Sequence, residues 1–182
     1  MASVFSHAVV AMALGKGFKI EKTGRRIFLL GSFCAIVPDL DVIGFYWGIQ
    51  YGDLWGHRGV THSLFFAIML ALILTLVFYL RSPPSIMYRA FLYLFACGSS
   101  HGFLDAMTNG GLGVAFFSPF NTSRYFLEFR PIAVSPIGVS QFFTERGAQV
   151  LVSELKWIWL PSLILVAALE LLEGLRAIKH QG

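Results

Sequence analysis

The sequence predicts an all-α fold, a polytopic helical membrane bundle of four to five membrane helices. Three observations predict it. Apolar residues make up 56% of the 182 and charged residues 13%, against about a half and a quarter in soluble domains. The apolar residues come in long blocks, without the alternation of half-buried strands. The basic residues gather at the ends of those blocks, as membrane topology requires. One domain covers residues 1–182: motif-bearing helices in 1–111, an irregular outer region in 112–156, and a last span with a cytoplasmic tail in 157–182. The net charge of +4 is modest, and no basic stripe interleaves with aromatics, so no nucleic-acid partner is expected. Cys34 and Cys97 sit singly inside apolar segments. They read as small buried hydrophobes, not as a disulfide or a thiolate metal site.

Val4 to Leu14 is a short apolar helix carrying His7. It lacks the leading positive charge of a signal peptide, so it reads as a retained first helix. The stretch Lys16 to Arg26 is the most basic in the chain and belongs on the cytoplasmic side. Ile27 to Trp47 is the second segment, broken at Pro38, because proline removes a backbone donor and disfavours helix before it. Tyr46, Trp47, Tyr51 and Trp55 then form an aromatic cluster suited to the far interface.

The third segment, Val60 to Leu80, is long enough to cross hydrocarbon without a charge. Pro83-Pro84 makes a stiff turn into the fourth, Ile86 to Met107. Thr108-Asn109-Gly110-Gly111 breaks that helix. Between Leu112 and Lys156, prolines and arginines favour turns and short strands, with Ser140 to Leu155 as a surface helix. Trp157 to Leu175 is the last span. Glu170 and Glu173 on it are expected to pair with Arg176 and Lys179, and His180 falls in the tail.

If the helices alternate direction with the basic loop inside, the ionisable residues converge. Asp39 and Asp41 fall in the outer half of the second segment, and His57, Arg58 and His62 at the outer mouth of the third. His101 and Asp105 lie in the outer half of the fourth, and His7 at the outer end of the first. Ionisable groups are costly inside a membrane and mark functional sites. Seven potential metal ligands therefore share one level: His7, Asp39, Asp41, His57, His62, His101 and Asp105.

His101 and Asp105 are four apart and share a helix face. Asp39 and Asp41 are two apart and would face opposite ways on a regular helix. Either the backbone unwinds after Pro38, or one aspartate binds metal while the other orients an imidazole. Imidazole with carboxylate and no thiolate suits zinc, with manganese or iron as alternatives. Seven ligands exceed what one tetrahedral ion needs, so one or two divalent ions are expected. Two-metal sites stabilise the attacking and leaving oxygens of phosphoester displacement. Arg58, with its planar fork of donors, is the candidate phosphate holder, or else an interfacial arginine on lipid headgroups. Asp41 and Asp105 join it as candidate catalytic residues. Thr61, Ser63, Thr108 and Asn109 either bond substrate or bond the backbone.

The ordered set of Ser-His near the start, Pro38-Asp39-Leu40-Asp41, His57-Arg58-Gly59-Val60-Thr61-His62-Ser63 and His101-x-x-x-Asp105 resembles the membrane-bound metal-dependent hydrolase family (YdjM-like, LexA-regulated in some bacteria). His-Arg-Gly-x-Thr-His-Ser is the specific part, and the segment from Ser118-Pro119-Phe120 to Pro136-Ile137-Gly138 adds to the likeness. The resemblance implies a divalent-metal enzyme of the bacterial inner membrane, distantly similar to zinc phospholipase C and P1-type nucleases. It points to cleavage of a phospholipid or other lipid phosphoester by metal-activated water, with membrane lipids as both solvent and substrate. One departure stands out: Val42 follows the second aspartate where many members have histidine.

Two other readings keep the same residues. In one, the enzyme is a membrane metallo-amidase or peptidase, although no His-Glu-x-x-His helix is present. In the other, the cluster belongs to a metal transporter or sensor.

Overall fold

In the computed structural model, which describes residues 1–18 and 25–179, helices fill the chain up to Ala106 apart from short connections and again from Val139, with an irregular region between. Helix α1 spans Val4–Gly17 and is capped by Ser3, whose side chain accepts from the Ser6 N–H. Helix α2 spans Arg26–Ile36. The chain then tightens into a 3-10 helix over Val37–Trp47, with Pro38 in its first turn. Gly48, with φ +81°, ends it, a conformation glycine adopts without steric cost.

The third segment begins as a 3-10 turn at Val60–His62. Ser63 then caps helix α3, Leu64–Tyr79, by accepting from the Phe66 N–H at 3.1 Å. Helix α4 runs Pro84–Ala106, and its N-terminal proline needs no partner for a missing N–H. Helices α5, Val139–Phe142, and α6, Glu145–Glu154, precede a π-helical turn at Leu155–Trp159 and helix α7, Leu160–Lys179.

Helix α4 is the hub, packing on α1, α2 and α3, while α7 lies along α1. Small residues make these approaches possible, as is usual where helices associate in lipid. Ala11, Ala35, Ala67, Ala71 and Ala90 are all buried. Tyr93 crosses Gly31 to donate to the Ala11 carbonyl at 2.9 Å. A Cβ on Gly31 would lie 2.3 Å from the Tyr93 hydroxyl oxygen. Gly31→Ala is therefore expected to displace Tyr93 and destabilise the protein by about 1–3 kcal/mol, the usual cost of overpacking. A lowered melting temperature in detergent checks it.

The fold corrects two expectations, the bounds of the irregular region and its strands, and bears on two more. Two helices are long and apolar enough to cross a membrane, Arg26–Trp47 and Glu145–Ile178; Val4–Gly17 and Leu64–Tyr79 are apolar but short. The third run is shortened because its first residues go into the turn and the cap. The proposed surface helix and the last span are one continuous helix from Glu145, so the irregular region ends near residue 144 rather than 156. Among the described residues no strand forms; the region makes only isolated bridges, Thr108 to Ile132 and Val114 to Tyr125. Glu170 and Glu173 also meet Lys16, at 3.7 and 3.5 Å, and the side chain of Lys179 lies outside the described residues. Much of the basic connection expected before α2, and His180, lie outside the described residues.

Candidate metal centre

Both cysteines are buried and unpaired, and the polar interior lies elsewhere, at the end of the bundle where α4 finishes. Helix α1 brings His7, the 3-10 segment brings Asp39 and Asp41, the turn before α3 brings His57, Arg58 and His62, and α4 brings His101 and Asp105. All seven predicted ligands meet there. His7, Asp39, His57, His62, His101 and Asp105 are buried, and the side chain of Asp41 is 1% exposed.

The innermost group is Asp39, His62, His101 and Asp105, whose ligand atoms lie within 4.8 Å of one another. Asp39 Oδ1 is 3.4 Å from His101 Nε2 and 3.5 Å from His62 Nε2, and Asp105 Oδ2 is 3.6 Å from His62 Nε2. Two ligands of one tetrahedral zinc ion sit about 3.3–3.4 Å apart at ordinary bond lengths. The group is thus close to ligand spacing and could hold a metal ion. It is also too open for direct hydrogen bonding. His7 Nδ1 and Nε2, both Asp39 oxygens, His62 Nε2 and His101 Nε2 are buried without hydrogen-bond partners. Buried polar atoms in native proteins are rarely left so.

Three of the imidazoles, those of His57, His62 and His101, have a partner at Nδ1. His101 Nδ1 donates to the Ala35 carbonyl at 2.7 Å, which turns the lone pair of Nε2 toward Asp39. Asp41 Oδ1 is 2.8 Å from His57 Nδ1, and Asp41 Oδ2 is 3.2 Å from His62 Nδ1. Thr61 Oγ1 donates to Asp41 Oδ2 at 2.7 Å. Asp39 thus belongs to the four-residue group, while Asp41 lies with His57 and His62 in a second group that could hold an ion. His7 stacks on His101, with ring centroids 3.9 Å apart. Its Nε2 faces the other oxygens of the same two carboxylates, Asp105 Oδ1 at 3.7 Å and Asp39 Oδ2 at 4.0 Å.

His57 sits on the connecting loop, and Arg124 holds that loop by donating to the His57, Tyr51 and Asp53 carbonyls. Burial holds the His57 imidazole below its ordinary pKa, against the opposing pull of Asp41. The loop is tightly coiled: a Cβ on Gly59 would lie 2.3 Å from the Leu54 carbonyl oxygen. Between them Arg58 adopts φ +65°, a left-handed conformation that costs a non-glycine residue about 1–2 kcal/mol.

Arg58 is wholly buried. Its Nε donates to Asp105 Oδ2 at 3.0 Å, Nη1 to the Gly110 carbonyl at 2.8 Å and Nη2 to Thr108 Oγ1 at 2.8 Å. Its fork thus grips Asp105 and the end of α4. Of the four hydroxyl and amide candidates, Thr61 holds Asp41, Ser63 caps α3, Thr108 holds Arg58, and Asn109 accepts from the Val134 N–H. Val42, where the resemblance leads one to look for histidine, lines an apolar groove.

The sequence reading missed Glu154. It is fully buried on α6, where the π turn begins. It accepts from the Ser3 N–H, from Ser3 Oγ at 2.5 Å and from Ser6 Oγ at 2.8 Å, while Trp159 Nε1 donates to the same Ser6 hydroxyl. The last helix thereby fixes the segment whose Ala2 N–H donates to Asp105 Oδ1 at 2.7 Å and which delivers His7. No signal in the sequence marks it, since α6 also carries Glu145, Arg146 and Gln149. Glu154→Ala is expected to cost about 1–3 kcal/mol for each donor left buried without an acceptor. Amide hydrogen exchange across residues 2–7 should quicken in the variant.

Comparison with known proteins places the chain among inner membrane proteins. A family model described as YdjM inner membrane protein matches residues 1–176. The inner membrane protein YbcI of Escherichia coli (strain K12) is 37% identical over 169 residues, covering 93% of this chain and 97% of that one. No solved structure matches. On the extent of the family match and the near full-length relative, this chain belongs to the YdjM inner membrane protein family.

Proposed function

We propose that the chain is an integral membrane metal-dependent hydrolase that cleaves a phosphoester. Asp39, His62, His101 and Asp105 would hold a divalent ion, with zinc the best match to nitrogen and oxygen donors and manganese or iron the alternatives. The observation that carries this reading is the set of buried nitrogens and oxygens, without partners and near ligand spacing, at the centre of the bundle. A bound ion would supply Lewis acidity toward water and a phosphoryl oxygen.

The chain's own groups divide the remaining work. Asp105 and Asp39 each present one oxygen to His62 or His101 and the other to His7, which leaves room for one ion or two. Arg58 aims Asp105 through Nε and is itself held by Thr108 and the Gly110 carbonyl. Asp41 fixes the His57 ring through Nδ1, so Nε2 of the neutral imidazole is free to take up and return a proton. A second group that could hold an ion, Asp41, His57 and His62, shares His62 with the first.

In this reading the centre faces the outer side of the inner membrane. Arg81 and Arg89 flank the turn from α3 to α4, at the opposite ends of those helices from His62 and Asp105, and basic turns stay in the cytoplasm. Purified protein in detergent is the test. Phosphodiesterase or phosphatase activity abolished by chelator and restored by Zn²⁺ or Mn²⁺ is the expected result. Absence of such activity on phospholipids and soluble phosphoesters alike, in metal-loaded protein, would overturn the reading.

A further inference from the structure

The segment Ser118-Pro119-Phe120 belongs to neither group of possible metal ligands, yet large aromatic side chains stand out on the surface there. We infer that the turn from Phe117 to Asn121 is a membrane anchor. It inserts Phe117 and Phe120 into the leaflet on the centre's side and extends the apolar edge of the bundle beyond α3. The inference rests on membership of an inner membrane family and is independent of the hydrolase reading.

Helix α3 packs on α4 and turns its other side outward, with Ile68, Leu72, Ile73, Leu76 and Val77 exposed. In an inner membrane protein that face meets lipid. Its 16 residues rise about 24 Å, about 6 Å short of a hydrocarbon core of about 30 Å. At the far end the exposed Arg81 closes the apolar run, so the missing height falls on the centre's side. There the Phe116 carbonyl accepts from the Leu64 N–H at 3.0 Å, which seats the turn on the N-terminus of α3. Phe120 packs edge-on against Phe65, with ring centroids 5.5 Å apart. The lipid-facing side thus continues from helix to turn.

The composition of the turn agrees. No charged residue occurs between Asp105 and Arg124, and Phe117 and Phe120 are 53% and 83% exposed. Irregular backbone is usually kept away from lipid, because an unpaired N–H is costly there. Here the Ser118 N–H donates to the Ala115 carbonyl at 3.1 Å, and the Phe120 and Asn121 N–H groups both donate to the Phe117 carbonyl at 3.0 Å. Pro119 has no N–H to satisfy. Asn121, Thr122 and Ser123 follow as exposed polar residues, suited to the headgroup layer. Arg124 then ties the turn to the loop that carries His57. The anchor therefore sets the depth of the metal centre: His62 lies two residues before the start of α3, within the leaflet that the turn enters.

Nitroxide labels at Phe120→Cys and Thr122→Cys, on protein in lipid nanodiscs, test this. Cys34 and Cys97 are buried, so native protein carried through the labelling is the blank. By power-saturation EPR, the label at position 120 should be several-fold more accessible to oxygen than to a water-soluble nickel chelate. The label at position 122 should show the reverse. A label at position 120 as open to the chelate as that at 122 puts the turn in water. One closed to both reagents puts it against protein, a second copy included. Either result overturns the inference.

Phe117→Ser/Phe120→Ser gives a second measurement. Its remaining apolar height on that side is that of α3, so it should melt highest in bilayers of shorter acyl chains than the native protein prefers. An unchanged preference also overturns the inference, and the labels decide the matter if this variant does not fold.

Discussion

Asp105→Leu is expected to destabilise the protein by about 3–5 kcal/mol, the usual consequence of removing one partner from a buried ion pair. Arg58 and Asp105 are both fully buried, 3.0 Å apart. Removing the carboxylate leaves the guanidinium facing only Thr108 and a carbonyl, and strips the Ala2 N–H of its acceptor. The double variant Arg58→Met/Asp105→Leu should recover most of the loss, because apolar residues of similar volume replace such a pair at little cost. It should not recover metal. Denaturation in detergent compares stability, and metal content separates the two effects. A double variant no more stable than Asp105→Leu alone would show that the pair is not the source of the cost.

The second large effect falls on chemistry. His62→Ala and His101→Ala should each lower phosphoester hydrolysis by at least about a thousandfold, the scale on which essential electrostatic groups act. Each removes an Nε2 that faces Asp39. His62 also faces Asp41 and Asp105, at 3.2 and 3.6 Å, so melting temperature is measured beside the rates to separate folding from chemistry. Both rates are measured against the native protein at saturating metal. Full activity in either variant would remove that imidazole from the proposed centre.

Much of this site is visible in the residues themselves. His101 and Asp105, four apart on α4, face the centre together as helix geometry requires. The alternation of segments brings His7, His57 and His62 to the same end. The two aspartates were ambiguous because an α-helix would point them apart. The 3-10 segment after Pro38 sets Asp39 beside His62 and His101 and Asp41 beside His57 and His62, so both carboxylates meet imidazoles.

Other features were not legible because they depend on distant packing. Arg58 looks like an exposed phosphate ligand in sequence, since nothing local announces that Thr108 and Gly110 will fold back to receive it. Glu154 is silent for the same reason, its partners Ser3 and Ser6 lying some 150 positions away. The length of the third helix was not legible because a hydrophobic run carries no mark of where a cap will fall. Ser63 takes the first residues of Val60–Leu80 out of the helix, and α6 runs through the π turn into α7 without the break that the intervening polar residues suggested.

Elemental analysis of the purified protein after loading and exhaustive desalting bears most directly on the central claim. One or two equivalents of zinc, manganese or iron per chain are predicted, falling below about a tenth of an equivalent in Asp39→Asn, whose carboxamide is a poor ligand for such ions. A native protein that retains no transition metal, or an Asp39→Asn variant that retains it all, would contradict the account.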